Sequence, residues 1–338
     1  MIDVIVAGGG PVGLAAAVRA RLAGMEVVVV EPRPGPVDKA CGEGLMPSAV
    51  AELAALGVHP PGVAFAGIRY VSPTQSVAAR FRHGPGLGVR RTALHTALFE
   101  RAESLGVRHV VGRVEQVRQD GDRVTVDGLQ SRWLLAADGL HSPVRRALGL
   151  ERSAPGPVRF GLRRHFATAP WSEHVDVHWS PTAEAYVTPV APDLVGVALL
   201  GPPNGHFDDL MSQFPRLVER VRGAQAVTSE RGAGPLRQEV SSRVRGRVLL
   251  IGDAAGYVDA LTGEGICTGL RTAAAAVEAV REGRPESYER DWSRATRQYR
   301  YLTTALLWGA SRPRLRSGLV PTAVRLPRVF GWAVNALA

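Results

Sequence analysis

Gly8, Gly10 and Gly13 stand in the G-x-G-x-x-G spacing, and that spacing serves anion binding by the main chain. Gly8 permits a tight turn, Gly10 lets a pyrophosphate approach the backbone, and Gly13 lets the next helix sit close to the preceding strand. The helix N-terminus then offers free N–H groups and the positive end of its dipole. Glu31 closes the next apolar run, Met25 to Val30. A carboxylate there accepts hydrogen bonds from both hydroxyls of an adenosine ribose and repels a 2′-phosphate. The pattern predicts dinucleotide binding. In Cys41-Gly42-Glu43-Gly44-Leu45, two glycines around an acid again suggest close backbone approach to a ligand.

These residues need strands and helices to hold them. Val4 to Val6 is an uncharged apolar run, as a buried parallel strand requires, and residues 14–22 read as helix. Helices are expected over 47–56, 91–105, 207–222 and 265–281. Segments 66–71 and 76–82 flank a turn and read as a hairpin. Short strands are expected at 107–111, 113–118 and 123–127, and an antiparallel set at 158–168, 173–179, 185–190 and 194–200. Two further apolar strands, 133–137 and 248–251, run into Ala137-Asp138-Gly139 and Gly252-Asp253. Ligands of doubly wound sheets bind at the carboxyl ends of the strands, so these signals should converge on one crevice. Asp138 and Asp253 also suit a plain helix N-cap. From Trp292 the pattern is helical, with breaks at Pro313, Pro321 and Pro327.

Composition bounds the rest. A chain of 338 residues that is 45% hydrophobic can bury a large core. Two cysteines suit a reducing cytosol and no disulfide framework. The first strand begins almost at Met1, so no signal peptide is expected, and no apolar run is long enough to span a bilayer. The formal charge of +10 rests on arginine, with Lys39 the single lysine. A solvated arginine-rich surface accounts for it. No basic stripe interleaved with aromatics appears, so neither a nucleic-acid partner nor a metal is expected.

The glycine turn with Glu31, the Ala137-Asp138-Gly139 segment with Ser142 and Arg145, and the Gly252-Asp253 segment resemble the FAD-dependent hydroxylase and geranylgeranyl reductase superfamily, whose fold is that of p-hydroxybenzoate hydroxylase. The resemblance covers residues 1 to about 280. It implies a Rossmann-like doubly wound α/β sheet for FAD with an inserted antiparallel β-sheet that covers the substrate. The expected boundaries are 1–64, 83–150 and 242–285 for the FAD-binding domain, 65–82 and 151–241 for the substrate domain, and 286–338 for a helical cover. By the resemblance, Gly8, Gly10 and Gly13 hold the FAD pyrophosphate, with Arg33 and Arg91 near it, and Glu31 holds the ribose. Asp138 and Gly139 match a segment that supports FAD and, in the hydroxylases, reduced nicotinamide. Asp253 matches the aspartate on the ribityl chain. Gly263, Glu264 and Gly265 place a helix N-terminus at the flavin. Cys41 then reads as a buried small hydrophobe or as a flavin-side thiol.

Two branches remain. Cys41-Gly42-Glu43-Gly44-Leu45 and Leu261-Thr262-Gly263-Glu264-Gly265-Ile266 look like the prenyl reductase branch, which reduces double bonds of geranylgeranyl lipids or quinone tails. That branch also carries Tyr-x-Trp-x-Phe-Pro, where this chain has Ala185-Tyr186-Val187-Thr188-Pro189. The departure favours a monooxygenase that hydroxylates a phenolic or polyketide-like aromatic through a flavin C4a-hydroperoxide. A flavin-binding redox partner without turnover is the third reading. No separate nicotinamide fold is visible, so NAD(P)H would visit transiently. Catalytic candidates are Cys41, His165 and Tyr186, acting on a hydrophobic small molecule. Strand alternation turns either Arg163 and His165 or Arg164 and Phe166 toward the site, and a satisfied sheet histidine is the plainer reading of His165. The tail from Thr303 to Ala338 mixes arginines with Leu, Trp and Phe. It reads as a packed cover with weak peripheral contact to anionic lipid, in an otherwise cytoplasmic protein.

Overall fold

The computed structural model describes residues 1–203 and 205–338. Its first strand, Ile2–Ala7, is wholly buried at Val4, Ile5 and Val6. It pairs in parallel with Val27–Glu31 on one side and Leu129–Ala136 on the other. Arg108–Val111 extends the first side and Val248–Leu250 the second, again in parallel. The strand order therefore reverses between Ile2–Ala7 and Leu129–Ala136, and a crevice opens at that switch point. Helices Pro11–Leu22, Arg91–Ser104 and Gly265–Arg281 cover the sheet.

The strand expected at 113–118 forms at Val117–Asp120 instead. The Asp127 carboxylate accepts from the amides of Glu115 and Gln116, both at 3.0 Å, which withdraws them from a ladder.

A second sheet has seven strands, with Phe160–Ala167, Leu194–Gly201, Glu184–Ala191 and His174–Trp179 side by side at its centre. Its pairs are antiparallel except where His174–Trp179 runs parallel to Gly67–Val71 of the hairpin. The helix expected over 207–222 is two helices, Phe207–Met211 and Pro215–Arg220, because Pro215 can only start a helix. A small third sheet, Gly44–Leu45, Val63–Phe65 and Gly86–Gly88, lies between the two large ones. A Cβ on Gly88 would stand 1.7 Å from the Pro189 carbonyl oxygen, so glycine alone permits that contact.

Three helices close the chain: Ser287–Ala310, Pro313–Arg325 and Pro327–Leu337. Pro313 and Pro327 take first-turn positions, as expected. Pro321 does not break the chain; it sits inside Pro313–Arg325. Burial of Val320 beside Val177, Trp179 and Leu307 holds that helix together against the loss of one hydrogen bond.

Candidate active site

The switch-point crevice starts where Ala7 ends its strand. The Ala137 amide donates to the Ala7 carbonyl at 2.7 Å, so the glycine turn and the 137–139 segment lie side by side. Gly8 has φ +102°, and a Cβ there would meet Ala137 O at 2.5 Å. A Cβ on Gly13 would lie 1.9 Å from Gly8 O, which is why the helix can press on the turn. A Cβ on Gly10 would meet only Arg91 Nη2, at 4.0 Å. No side chain caps the helix that Pro11 begins, and no acid stands in its first turn. The result is an open N-terminus beside a guanidinium, which suits a phosphate.

Charged groups ring this opening. Lys39, Arg91 and Asp253 all line one cavity. Burial, then Arg33 and Arg91, lower the Lys39 ammonium below its usual range, while Asp253 pulls it back. Burial raises the Asp253 carboxyl, against Lys39, Arg91 and Arg145. Asp138 does cap a helix, since its Oδ2 accepts from the Val144 amide at 3.1 Å, but its buried Oδ1 has no partner. Arg145 is wholly buried and ties three segments together through Leu140 O, Ala254 O and Gln238 Oε1. An orphaned carboxylate oxygen, an open helix N-terminus and a flanking lysine–arginine pair fit a dinucleotide cofactor. Lys39, Gly10, Arg91, Asp138 and Asp253 would hold it.

Glu31 and Arg33 fall outside the cavity lining. Glu31 accepts from the Gly9 amide at 2.8 Å, and Arg33 turns its guanidinium onto the same carboxylate, with Nε 2.6 Å from Oε1. Burial alone would raise that carboxyl, but the bonds from Arg33 and Gly9 bring it below its usual value. Arg33 is thus spent on Glu31. Gly263 and Gly265 line the cavity at the start of helix Gly265–Arg281, whereas the Glu264 side chain does not. Burial, opposed by Arg271, pushes the Glu264 carboxyl up to about 8.

The cavity has a volume of about 670 Å³ and runs from the glycine turn to the second sheet. Its far wall is apolar: Phe65, Ile68, Val175, Leu236, Val334 and Leu337. Cys41, Gly42 and Tyr186 line it between the two ends. Cys41 Sγ accepts from the Glu43 amide at 3.4 Å. The Gly42 carbonyl accepts from Thr188 Oγ1 at 2.7 Å, and the Tyr186 hydroxyl donates to Leu261 O at 2.6 Å. Burial, then Glu184, raise the Tyr186 phenol well above its usual range. It therefore keeps its proton.

Alternation turns Arg163 and His165 toward the FAD-type sheet, and Arg164 toward the Phe207 ring and Asp208. His165 nonetheless does not reach the cavity. Its ring is wholly buried, with Nε2 2.6 Å from Glu43 Oε2 and Nδ1 3.0 Å from both Arg163 Nη1 and Thr228 Oγ1. His165 therefore makes a structural contact behind the wall rather than one with substrate, since Glu43, which lines the cavity, engages Nε2, and Arg163 and Thr228 engage Nδ1. Arg163 also pairs with Asp38, and Glu43 Oε1 accepts from the Arg91 amide at 2.8 Å. Glu43 itself has φ +58°, a costly conformation for a residue with a side chain. The sequence reading assigned no role to Lys39, Glu43, Asp38 or Arg163. Two signals pointed there: a single lysine in an arginine-rich chain, and an acid between two glycines.

A family described as FAD binding domain matches residues 1–282. The chain belongs to that FAD-binding family. Menaquinone reductase of Mycobacterium tuberculosis is 32% identical over 314 residues, covering 82% of this chain and 76% of that protein. Rifampicin monooxygenase of Streptomyces venezuelae is 34% identical over 166 residues, covering 44% of this chain and 34% of the relative. Among solved structures, the Diels-Alderase PyrE3 of pyrroindomycin biosynthesis superposes with a TM-score of 0.77 at 26% identity, covering all of this chain and 80% of that one. The relatives thus include a reductase, a monooxygenase and a Diels-Alderase, and this chain is of the FAD-dependent oxidoreductase family.

Proposed function

We propose that this flavoprotein reduces a carbon–carbon double bond in the isoprenoid tail of a quinone. One observation carries the reading: the cavity is charged at the glycine turn and apolar at its far wall, so it suits a long hydrocarbon chain presented to a bound cofactor. The likeness to menaquinone reductase over 82% of the chain supports it. Bound FAD would supply hydride chemistry. The protein's own part is to orient the tail and deliver a proton. Phe65, Ile68 and Val175 exclude water along the chain. Tyr186 is a wall, since its hydroxyl is spent on Leu261 and keeps its proton. The Cys41 thiol lines the cavity and is our proton donor to the carbon that does not receive the hydride.

The test is anaerobic incubation of the reduced holoprotein, or of holoprotein with NADH or NADPH, with a quinone bearing an unsaturated tail. A product two mass units heavier in ordinary water, with solvent deuterium at the newly saturated carbons in heavy water, is the expected result. An unchanged tail refutes the proposal. Hydroxylation of a phenolic or polyketide-like aromatic is the second reading. Tyr186 and Thr188 favour it, because they stand where the prenyl reductases carry Trp and Phe residues, and so does the rifampicin monooxygenase likeness. Under oxygen, a product one oxygen atom heavier would establish that reading instead.

A further inference from the structure

We propose that helix Pro327–Leu337 rests on an anionic lipid bilayer, and that a lipid-tailed substrate passes from the bilayer into the cavity beside Val334 and Leu337. The proposal rests on the substrate class inferred above. Its first support is charge: from Trp292 to Ala338 the chain has eight arginines and no Asp or Glu. Arg325 and Arg328 are both exposed. Arg316 is buried against Glu184 and Arg294 pairs with Asp291, so the free surface charge is carried by the remaining arginines of the stretch.

Its second support is the helix's two faces. At about 100° per residue, Phe330, Val334 and Leu337 share one side, and Arg328, Val329 and Trp332 share the opposite side. The first side is turned into the protein: Phe330 and Val334 are buried, and Val334 and Leu337 line the cavity. The second side is open, with Trp332 60% and Val329 57% exposed, and Leu326 50% exposed just before it. Nor is the helix a loose tail. Asn335 accepts from the Arg82 amide at 2.8 Å and donates to the Arg80 carbonyl at 2.9 Å, and the Phe330 ring lies 4.7 Å from that of Tyr70. A docked helix that presents Trp, Val and Leu among arginines matches the lipid interface, where indole sits at headgroup depth and guanidinium meets phosphate. A second copy of this chain is the weaker occupant, because a two-fold contact would set like charges together.

The test uses the FAD-loaded full chain and vesicles of phosphatidylcholine alone or mixed with phosphatidylglycerol. Flotation with the anionic vesicles, reversed by salt, is expected. Val329→Ser with Trp332→Ser should weaken partitioning by about tenfold or more. Arg325→Gln and Arg328→Gln should each weaken it by about fivefold. No flotation, equal flotation with neutral vesicles, or unchanged flotation of the variants overturns the proposal. So does a dimer that the same substitutions dissolve without any lipid binding. Turnover of a short-tailed, water-soluble quinone should be equal in parent and variants, while turnover of a vesicle-embedded quinone falls. Vesicle binding with no tail reduction in either format would leave the docking intact and sink the reductase reading alone.

Discussion

Substitution of Glu43 should loosen the junction between the two sheets more than any single change at the cavity wall. Its carboxylate satisfies the Arg91 amide at 2.8 Å and faces His165 Nε2 at 2.6 Å, where water has no access. Glu43→Ala leaves both groups without a partner, at about 1–3 kcal/mol each. The left-handed backbone costs about 1–2 kcal/mol in parent and variant alike and drops out of the difference. The sum is about 2–6 kcal/mol, which brackets the range for breaking a buried ionisable pair. Urea unfolding of the FAD-loaded protein measures it. Glu43→Gln, which keeps one acceptor and a similar shape, should cost less and serves if the alanine variant does not fold. The decisive measurement is a cycle of Glu43→Gln, His165→Gln and the double variant. Contact at 2.6 Å demands a coupling of at least about 0.5 kcal/mol. Strict additivity would refute the pairing. Because Gly42, Glu43 and Gly44 line the cavity, the same variants should lower kcat with FAD still bound.

Three further outcomes are expected. Asp253→Asn should weaken FAD by about tenfold to a hundredfold through loss of a charge-assisted bond, read by flavin fluorescence on titrating the apoprotein; equal affinity would remove Asp253 from the site. Cys41→Ala should keep FAD and nearly all stability but lose most turnover, and a variant with parental kcat would make Cys41 a packing residue only. Glu264 holds its proton up to about pH 8 when folded and ionises near its ordinary 4.5 when unfolded. Between those values the unfolded chain binds fewer protons, so stability falls as pH rises, by about 1.4 kcal/mol per unit at most, and levels off above 8. Glu264→Gln should flatten that slope and stabilise the protein at pH 8, and parallel stability–pH curves for parent and variant would disprove it.

What could be read from the sequence was local. The glycine turn needs six consecutive positions, and the close contact of Gly13 with the Gly8 carbonyl lies wholly within them. The apolar runs 4–6, 133–137 and 248–251 are recognisable because a strand buried on both faces cannot carry charge. Local signals failed where a distant group decided. Nothing near residues 113–118 shows that Asp127 will claim the amides of Glu115 and Gln116. The proline at 321 announces a break that only the packing of Val320 prevents.

His165 carries the same lesson into the site itself. Period-two alternation correctly pairs it with Arg163 on one face, but alternation says nothing of what that face meets. Its fate depends on Glu43, 122 positions earlier, which arrives at 2.6 Å only because its backbone takes a left-handed turn between two glycines. The histidine is thereby consumed in holding the second sheet to the loop of Cys41. The cavity wall keeps Cys41, Lys39 and Arg91 beside Asp138, His141, Asp253 and Tyr257, and the proposed reduction draws its proton from the first of these.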